Sequence, residues 1–131
     1  MGYNVELACA RFRIANENFD AVLSIMRNMG EKDEGYWYVN NKELARAQTI
    51  RDAFLAWRYR VDFDKDGICS ISFDGDKLGE DDALFNAISP YVENGSFIEM
   101  HGDDGYLWRW VFHNGECKEI RPTITWDGGN E

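Results

Sequence analysis

The stretch SFIEMHGDDGYLWRWVFH, residues 96–113, alternates apolar and polar positions on either side of an acidic loop that ends in glycine. Pairing Gly102 with Tyr106 around Asp103-Asp104-Gly105 sets Met100 opposite Trp108 and Ile98 opposite Trp110. The other face then carries Glu99 opposite Arg109, a favourable cross-strand charge pair. A two-residue loop would pair residues from mismatched faces, so the three-residue loop is preferred. A period of two with one apolar face is the mark of an antiparallel hairpin covered on one side.

Residues 59–73, YRVDFDKDGICSISF, repeat this logic. A three-residue loop, Lys65-Asp66-Gly67, pairs Asp64 with Ile68, Phe63 with Cys69, Val61 with Ile71 and Tyr59 with Phe73. Asp62 and Ser70, and Arg60 and Ser72, share the polar face. A first strand is expected over Tyr3–Ile14, apolar on both faces and therefore central. A final strand follows the Asn114-Gly115 turn and contains Ile120, Ile124 and Trp126. Its register stays open: a two-residue turn puts Trp110 opposite Glu119, and a longer loop puts it opposite Ile120.

Helical spacing fills the gaps. Phe19, Val22, Leu23, Met26 and Met29 form one stripe, capped by Asn16 or Asn18 and ended by Gly30. A second helix, opened by Asn40 or Asn41, is expected to run to about Arg58 on the stripe Ala47, Ile50, Phe54, Trp57 and Val61. A third spans about Glu80–Tyr91, with Leu84, Phe85, Ile88 and Val92 inward and acidic residues in its first turn. The order β-α-α-β-β-α-β-β-β predicts an α+β fold: an antiparallel-rich sheet with helices on one face. Within it lies a ferredoxin-like βαββαβ core, with an extra helix and C-terminal strands added.

The 131 residues make a single domain, with 127–131 a frayed tail. Fourteen basic residues stand against 24 acidic ones, for a net charge of -10. That balance opposes direct nucleic-acid binding, which needs clustered Lys and Arg. Five basic residues (Lys42, Arg46, Arg51, Arg58 and Arg60) face two acidic ones in residues 42–60, a local +3 that leaves -13 elsewhere. No run is long and apolar enough for a membrane span, and no basic-then-apolar leader is seen. Cys9, Cys69 and Cys117 read as free, buried thiols of a reducing cytoplasm.

Asp62-x-Asp64-x-Asp66-Gly67 matches the opening of a calcium loop, but the twelfth position, which should be a bidentate Glu, is Phe73. The run Asp74, Asp76, Glu80, Asp81 and Asp82 reads as a solvated lead into a helix. His101 and His113 point away from the helices and lie roughly 20 Å apart along the sheet, too far to share a metal. No metal site and no cofactor are implied. Glu99, His101 and Arg109 form the best polar cluster, suited to acid–base chemistry or to a surface ion pair. Tyr106, Trp108, Trp110 and Phe112 read as core, while Tyr36 and Trp37, in a charged loop region, could anchor a partner. Phe97, Leu107 and Val111 leave apolar area on the outer face and predict cover by the tail, a second subunit or a partner.

The segment GEDDALFNAISPYVENGSFIEMHGDDGYLWRWVFHNGECKE resembles small acidic proteins of unassigned function from phages and conjugative elements of Gram-positive gut bacteria. The helix followed by NGSFIEMHG and GYLWRWVF also resembles YubB-type ferredoxin-like domains. The resemblance implies a mobile-element setting and carries no catalytic motif. The favoured reading is a non-enzymatic accessory protein that binds another protein, in its specific form an acidic inhibitor of a DNA-handling or defence protein. The alternatives are a small enzyme using Glu99, His101 and Arg109, and a subunit that self-associates through a sheet edge.

Overall fold

A computed structural model describes residues 3–127. Its strands are β1 (Tyr3–Arg11), β2 (Ile14–Ala15), β3 (Tyr59–Asp64), β4 (Gly67–Phe73), β5 (Lys77–Leu78), β6 (Phe97–Gly102), β7 (Leu107–His113) and β8 (Glu116–Ile120). Its α-helices are α1 (Phe19–Gly30), α2 (Asn41–Ala45), α3 (Ile50–Ala56) and α4 (Asp81–Ile88). All strand pairs are antiparallel, in the orders β5-β1-β6-β7-β8 and β2-β4-β3. β1 and β2 are one run of chain broken at Phe12-Arg13, so the two sheets join into a single curled array.

The fold is α+β and antiparallel-rich, as the sequence predicts. The finer ferredoxin-like core is not confirmed, because β2 meets β4 through only two residue pairs, Ile14–Ile68 and Ala15–Gly67. The first strand is not continuous to Ile14. It breaks where Phe12 turns fully into the core, edge-on to Phe54, Phe85 and Phe112. A bulge at Ala8 also changes the face: Leu7 pairs with Met100, but Cys9 pairs with Glu99. Cys9 is consequently exposed rather than buried, and Cys69 and Cys117 are half-buried.

The second hairpin has the expected register, with Ile98 opposite Trp110 and Glu99 opposite Arg109. The first hairpin agrees from Tyr59–Phe73 to Asp62–Ser70, then shifts, so that Phe63 meets Ile68 and Asp64 meets Gly67. The loop is therefore two residues, Lys65-Asp66, because Gly67 itself joins the ladder. A Cβ there would lie 2.1 Å from the Ile14 carbonyl, and its φ is +144°, so glycine is required on both counts. β8 takes the two-residue register, Trp110 opposite Glu119, through Asn114 and Gly115 at positive φ. It ends at Ile120, leaving Ile124 and Trp126 outside the strand and exposed. Asp127 sits in a turn, and the rest of the expected frayed tail lies outside the described residues.

The expected second helix is two. Thr49 stops the chain between α2 and α3 and caps the latter, its hydroxyl accepting from the Asp52 N–H at 3.1 Å. The stripe survives the break, since Ala47, Ile50, Phe54, Trp57 and Val61 are all buried. α4 is shorter than expected and passes into a 3-10 turn, Ser89–Tyr91, at Pro90. Ile98, Met100, Trp108, Trp110 and Phe112 join buried residues from all four helices in one core. The opposite face of β6–β7 stays half-buried or exposed.

Candidate functional site

The structure brings Glu99 and Arg109 together and leaves His101 aside. Arg109 Nε donates to Glu99 Oε1 at 2.8 Å, and its guanidinium lies 4.6 Å from the Phe97 ring centre. His101 is on the same face but turns to Glu6, with Nδ1 3.4 Å from Oε1. An acid–base pair of Glu99 with His101 is thus not assembled. His113 lies apart, opposite Glu116 at the far end of β7. Tyr36 and Trp37 divide their roles. The Tyr36 ring packs 5.1 Å from Trp57, whereas the Trp37 side chain is exposed and the Trp37 backbone N–H donates to Glu80 Oε2 at 2.8 Å.

The calcium-like acids serve the hairpin. Asp64 accepts from the Asp66 and Gly67 N–H groups and from Arg13 Nη2 at 3.0 Å, interactions that hold its pKa below the usual carboxylate range. Asp62 accepts from the Ser70 hydroxyl at 3.1 Å. Among the described residues, no group of three His, Cys, Asp or Glu side chains is placed to hold a metal ion. None of the described helices is long and apolar enough to cross a membrane.

One member of the acidic run is not solvated. Asp81 is fully buried and accepts from the Tyr59 hydroxyl at 2.6 Å and from the Gly79 N–H at 3.1 Å, with Arg58 Nη2 at 3.5 Å. Burial raises the Asp81 pKa, and the Tyr59 hydrogen bond and the Arg58 charge pull it back. Tyr59, desolvated against that carboxylate, is pushed well above its ordinary value. Arg58 therefore does not belong to a basic surface: it donates to the Lys77 carbonyl at 2.7 Å and stacks between Tyr38 and Phe73. Arg60 pairs with Asp74, which leaves Lys42, Arg46 and Arg51 as the basic residues of this region without an ion pair among the described residues.

The margin formed by β7 and β8 is where exposed apolar surface and concavity coincide. On the outer face Leu107 and Ile120 are exposed beside Glu99, Arg109 and Pro122, around a hollow of about 190 Å³. The chain continues past it with Ile124 and Trp126 at 78% and 81% exposure. The described residues 121–127 therefore leave Leu107 and Ile120 exposed, and the remainder of the tail expected to cover this face lies outside the described residues. On the inner face, by the start of α4, a cleft of about 320 Å³ is lined by residues that include Tyr106, Trp108, Trp110, Asp82, Glu119 and Arg121.

No family model, curated protein or solved structure matches this chain.

The site is thus read from its own chemistry. Sequence reasoning assigned Trp108 and Trp110 to the core and Asp82 to solvent, and did not single out Glu119 or Arg121. The signal was parity. With Trp110 opposite Glu119, residues 117 and 119 face the tryptophan side, which only the two-residue turn reveals, and Arg121, just past the strand, lines both hollows. Cys117, on that side, is pushed up to about 12 by burial, with Asp82 and Glu119 adding to the shift, so its thiol is no nucleophile at neutral pH.

Proposed function

We propose that the chain is a non-enzymatic accessory protein that binds another protein through the β7–β8 margin. The observation that carries this reading is the exposed pair Leu107 and Ile120 at a shallow hollow, with Ile124 and Trp126 exposed on the chain that follows, on a molecule of net negative charge. Apolar residues gathered at a sheet margin and rimmed by charge fit a docking surface better than an active centre. The net charge of -10 favours a basic partner and would speed encounter with it. In its specific form, the partner is a DNA-handling or defence protein, the setting is a mobile element and the compartment is the cytoplasm. The fold suits such a role as an opened form of the ferredoxin-like unit: the neighbour order β3-β4-β2/β1-β6 follows that of the split βαββαβ sheet, splayed between β1 and β4.

The test is a tagged capture from bacterial lysate after nuclease treatment, eluted by a salt gradient. Wild type is compared with a Leu107→Lys/Ile120→Lys variant whose circular dichroism is unchanged. Retention of a DNA-handling or defence protein by wild type alone, released by salt, supports the reading. Identical recovery with both proteins, or recovery of no partner, overturns it.

A further inference from the structure

We infer that the open edge of β8 pairs antiparallel with β8 of a second copy of this chain, about a two-fold axis between the two Ile120 residues. This goes beyond the docking reading above and does not depend on it. β8 ends its sheet, and the neighbouring backbone shows which of its groups are left free. The Phe112 N–H donates to the Ser96 carbonyl and the Phe112 carbonyl accepts from the Gly95 N–H, both at 3.0 Å, so even positions of β7 face β6. The odd positions Arg109, Val111 and His113 face β8, and their partners Ile120, Lys118 and Glu116 spend their backbone groups there. Cys117 and Glu119 therefore turn N–H and C=O outward, where no described residue meets them. Arg121 comes next in the same alternation. Pro122, which has no N–H, falls on the β7 side, so it ends the β7 ladder without removing a donor from the open edge.

An open edge alone can take any strand, and the side chains of β8 favour its own copy. A two-fold axis normal to the sheet sets residues of the same face opposite each other. Centred on Lys118 or Glu119, it opposes like charges. Centred on Cys117, it sets Ile120 against Asn114 in the turn. Centred on Ile120, it sets Ile120 against Ile120, Glu119 against Arg121 at both ends, and Lys118 against Pro122. No like charges then meet, and Ile120 falls in the pair without mutual hydrogen bonds, where side chains are closest. Glu119 and Arg121 already pair within one chain at 2.6 Å, and both are more than 40% exposed, so each can exchange its partner for the same group of the second copy. The axis keeps both outer faces on one side and joins Leu107 and Ile120 of the two copies into one apolar stripe, on surface that is exposed in the single chain. The other described edges offer no exposed apolar residue: β5 has two residues, and β3 turns Arg60 and Asp62 outward while Tyr59 and Val61 are buried.

The test is sedimentation of the full chain under reducing conditions, in salt of about 150 mM to screen the like net charges of the two copies. Loading runs from about 10 μM to about 1 mM, the range in which a small edge-to-edge interface associates. The mass of wild type should rise toward that of a dimer. Glu119→Arg sets arginine against arginine at both ends of the pairing, and Arg121→Glu sets glutamate against glutamate. Each variant alone, with its circular dichroism unchanged, should dimerise about ten-fold more weakly or worse. An equimolar mixture of the two restores opposite charges at both ends and should associate as wild type does. The double variant Glu119→Arg/Arg121→Glu should do the same. A wild type that stays monomeric throughout, single variants that associate like wild type, or a mixture no stronger than its components would each overturn the inference. Self-association that follows this charge rule, with no partner captured from lysate, would sink the docking reading alone. Partner capture by a wild type that stays monomeric would sink the pairing of β8 alone.

Discussion

Asp81 is a carboxylate that the fold buries completely, and its neighbours decide what that costs. Removing the Tyr59 hydroxyl takes away a 2.6 Å hydrogen bond and leaves buried lone pairs without their donor. Tyr59→Phe should therefore lose about 1–3 kcal/mol in urea denaturation, with the slope of the transition unchanged. The pH dependence has a definite sign. Burial raises the folded pKa, so the folded chain holds the Asp81 proton more tightly than the unfolded chain does. Stability from this group is present at low pH and falls as pH rises from the ordinary Asp range through the raised folded value. Asp81→Asn has no such slope, so stability should shift toward the variant, relative to wild type, as pH rises through that window. Asp64 works the other way. Its lowered pKa gives stability that is full above the ordinary Asp range and is lost as pH falls through the folded value. Urea titrations of wild type, Asp81→Asn and Asp64→Asn between pH 2.5 and pH 7 (a span set by the usual Asp pKa of about 3.9) separate the two slopes. Parallel curves for all three proteins would refute both assignments.

The break between α2 and α3 shows what an element needs beyond its stripe. Ala47, Ile50, Phe54, Trp57 and Val61 suggest one helix because burial follows a helical period across the gap. The stopping signal was Thr49 with Asp52 three residues on, where the hydroxyl satisfies the Asp52 N–H. A helix of only seven residues depends on such a cap. Thr49→Ala should cost about 1 kcal/mol, and Thr49→Ser should recover most of it, read as a shift in the urea midpoint. No loss in Thr49→Ala would mean that tertiary contacts alone hold α3. The hairpins were legible because alternation and a glycine loop fix register together, as Ile98 opposite Trp110 shows. The bulges at Ala8 and Cys69 were not, since one inserted residue leaves the local pattern intact while flipping everything after it. That flip is why Cys9 emerged on the surface. The Asp81 cluster was hidden for a different reason: its partners Arg58 and Tyr59 lie more than 20 residues away, joined only by the curl of the sheet. Of the expected site, Glu99 with Arg109 was readable from the hairpin, and the cleft was not, because Glu119 and Arg121 waited on the register of β8.

At the scale of the molecule, two electrostatic effects oppose each other. Six arginine–carboxylate ion pairs lie among the described residues, and in five of them at least one side chain is more than 40% exposed. Each exposed pair contributes about 0–1 kcal/mol, and salt weakens it locally. Against them stands an excess of ten negative charges on one small chain. A domain of this length has a radius of gyration of about 14 Å. At 10 mM salt the screening length is about 30 Å, so every excess charge repels every other, whereas at 150 mM it is about 8 Å and only neighbours interact. The long-range repulsion is therefore the larger quantity to be screened, and unfolding relieves it by spreading the charge. The thermal midpoint should rise between 10 and 150 mM sodium chloride. Over the same range, attraction to a basic partner should weaken, because screening acts on that attraction too. Opposite salt dependences of stability and binding, measured by scanning calorimetry and by salt-gradient elution of the captured partner, would tie both to the same excess charge. A midpoint that falls with salt would show instead that the surface ion pairs outweigh the net repulsion. The acidic balance would then be arranged locally, around features such as Asp64 with Arg13, rather than acting as one field.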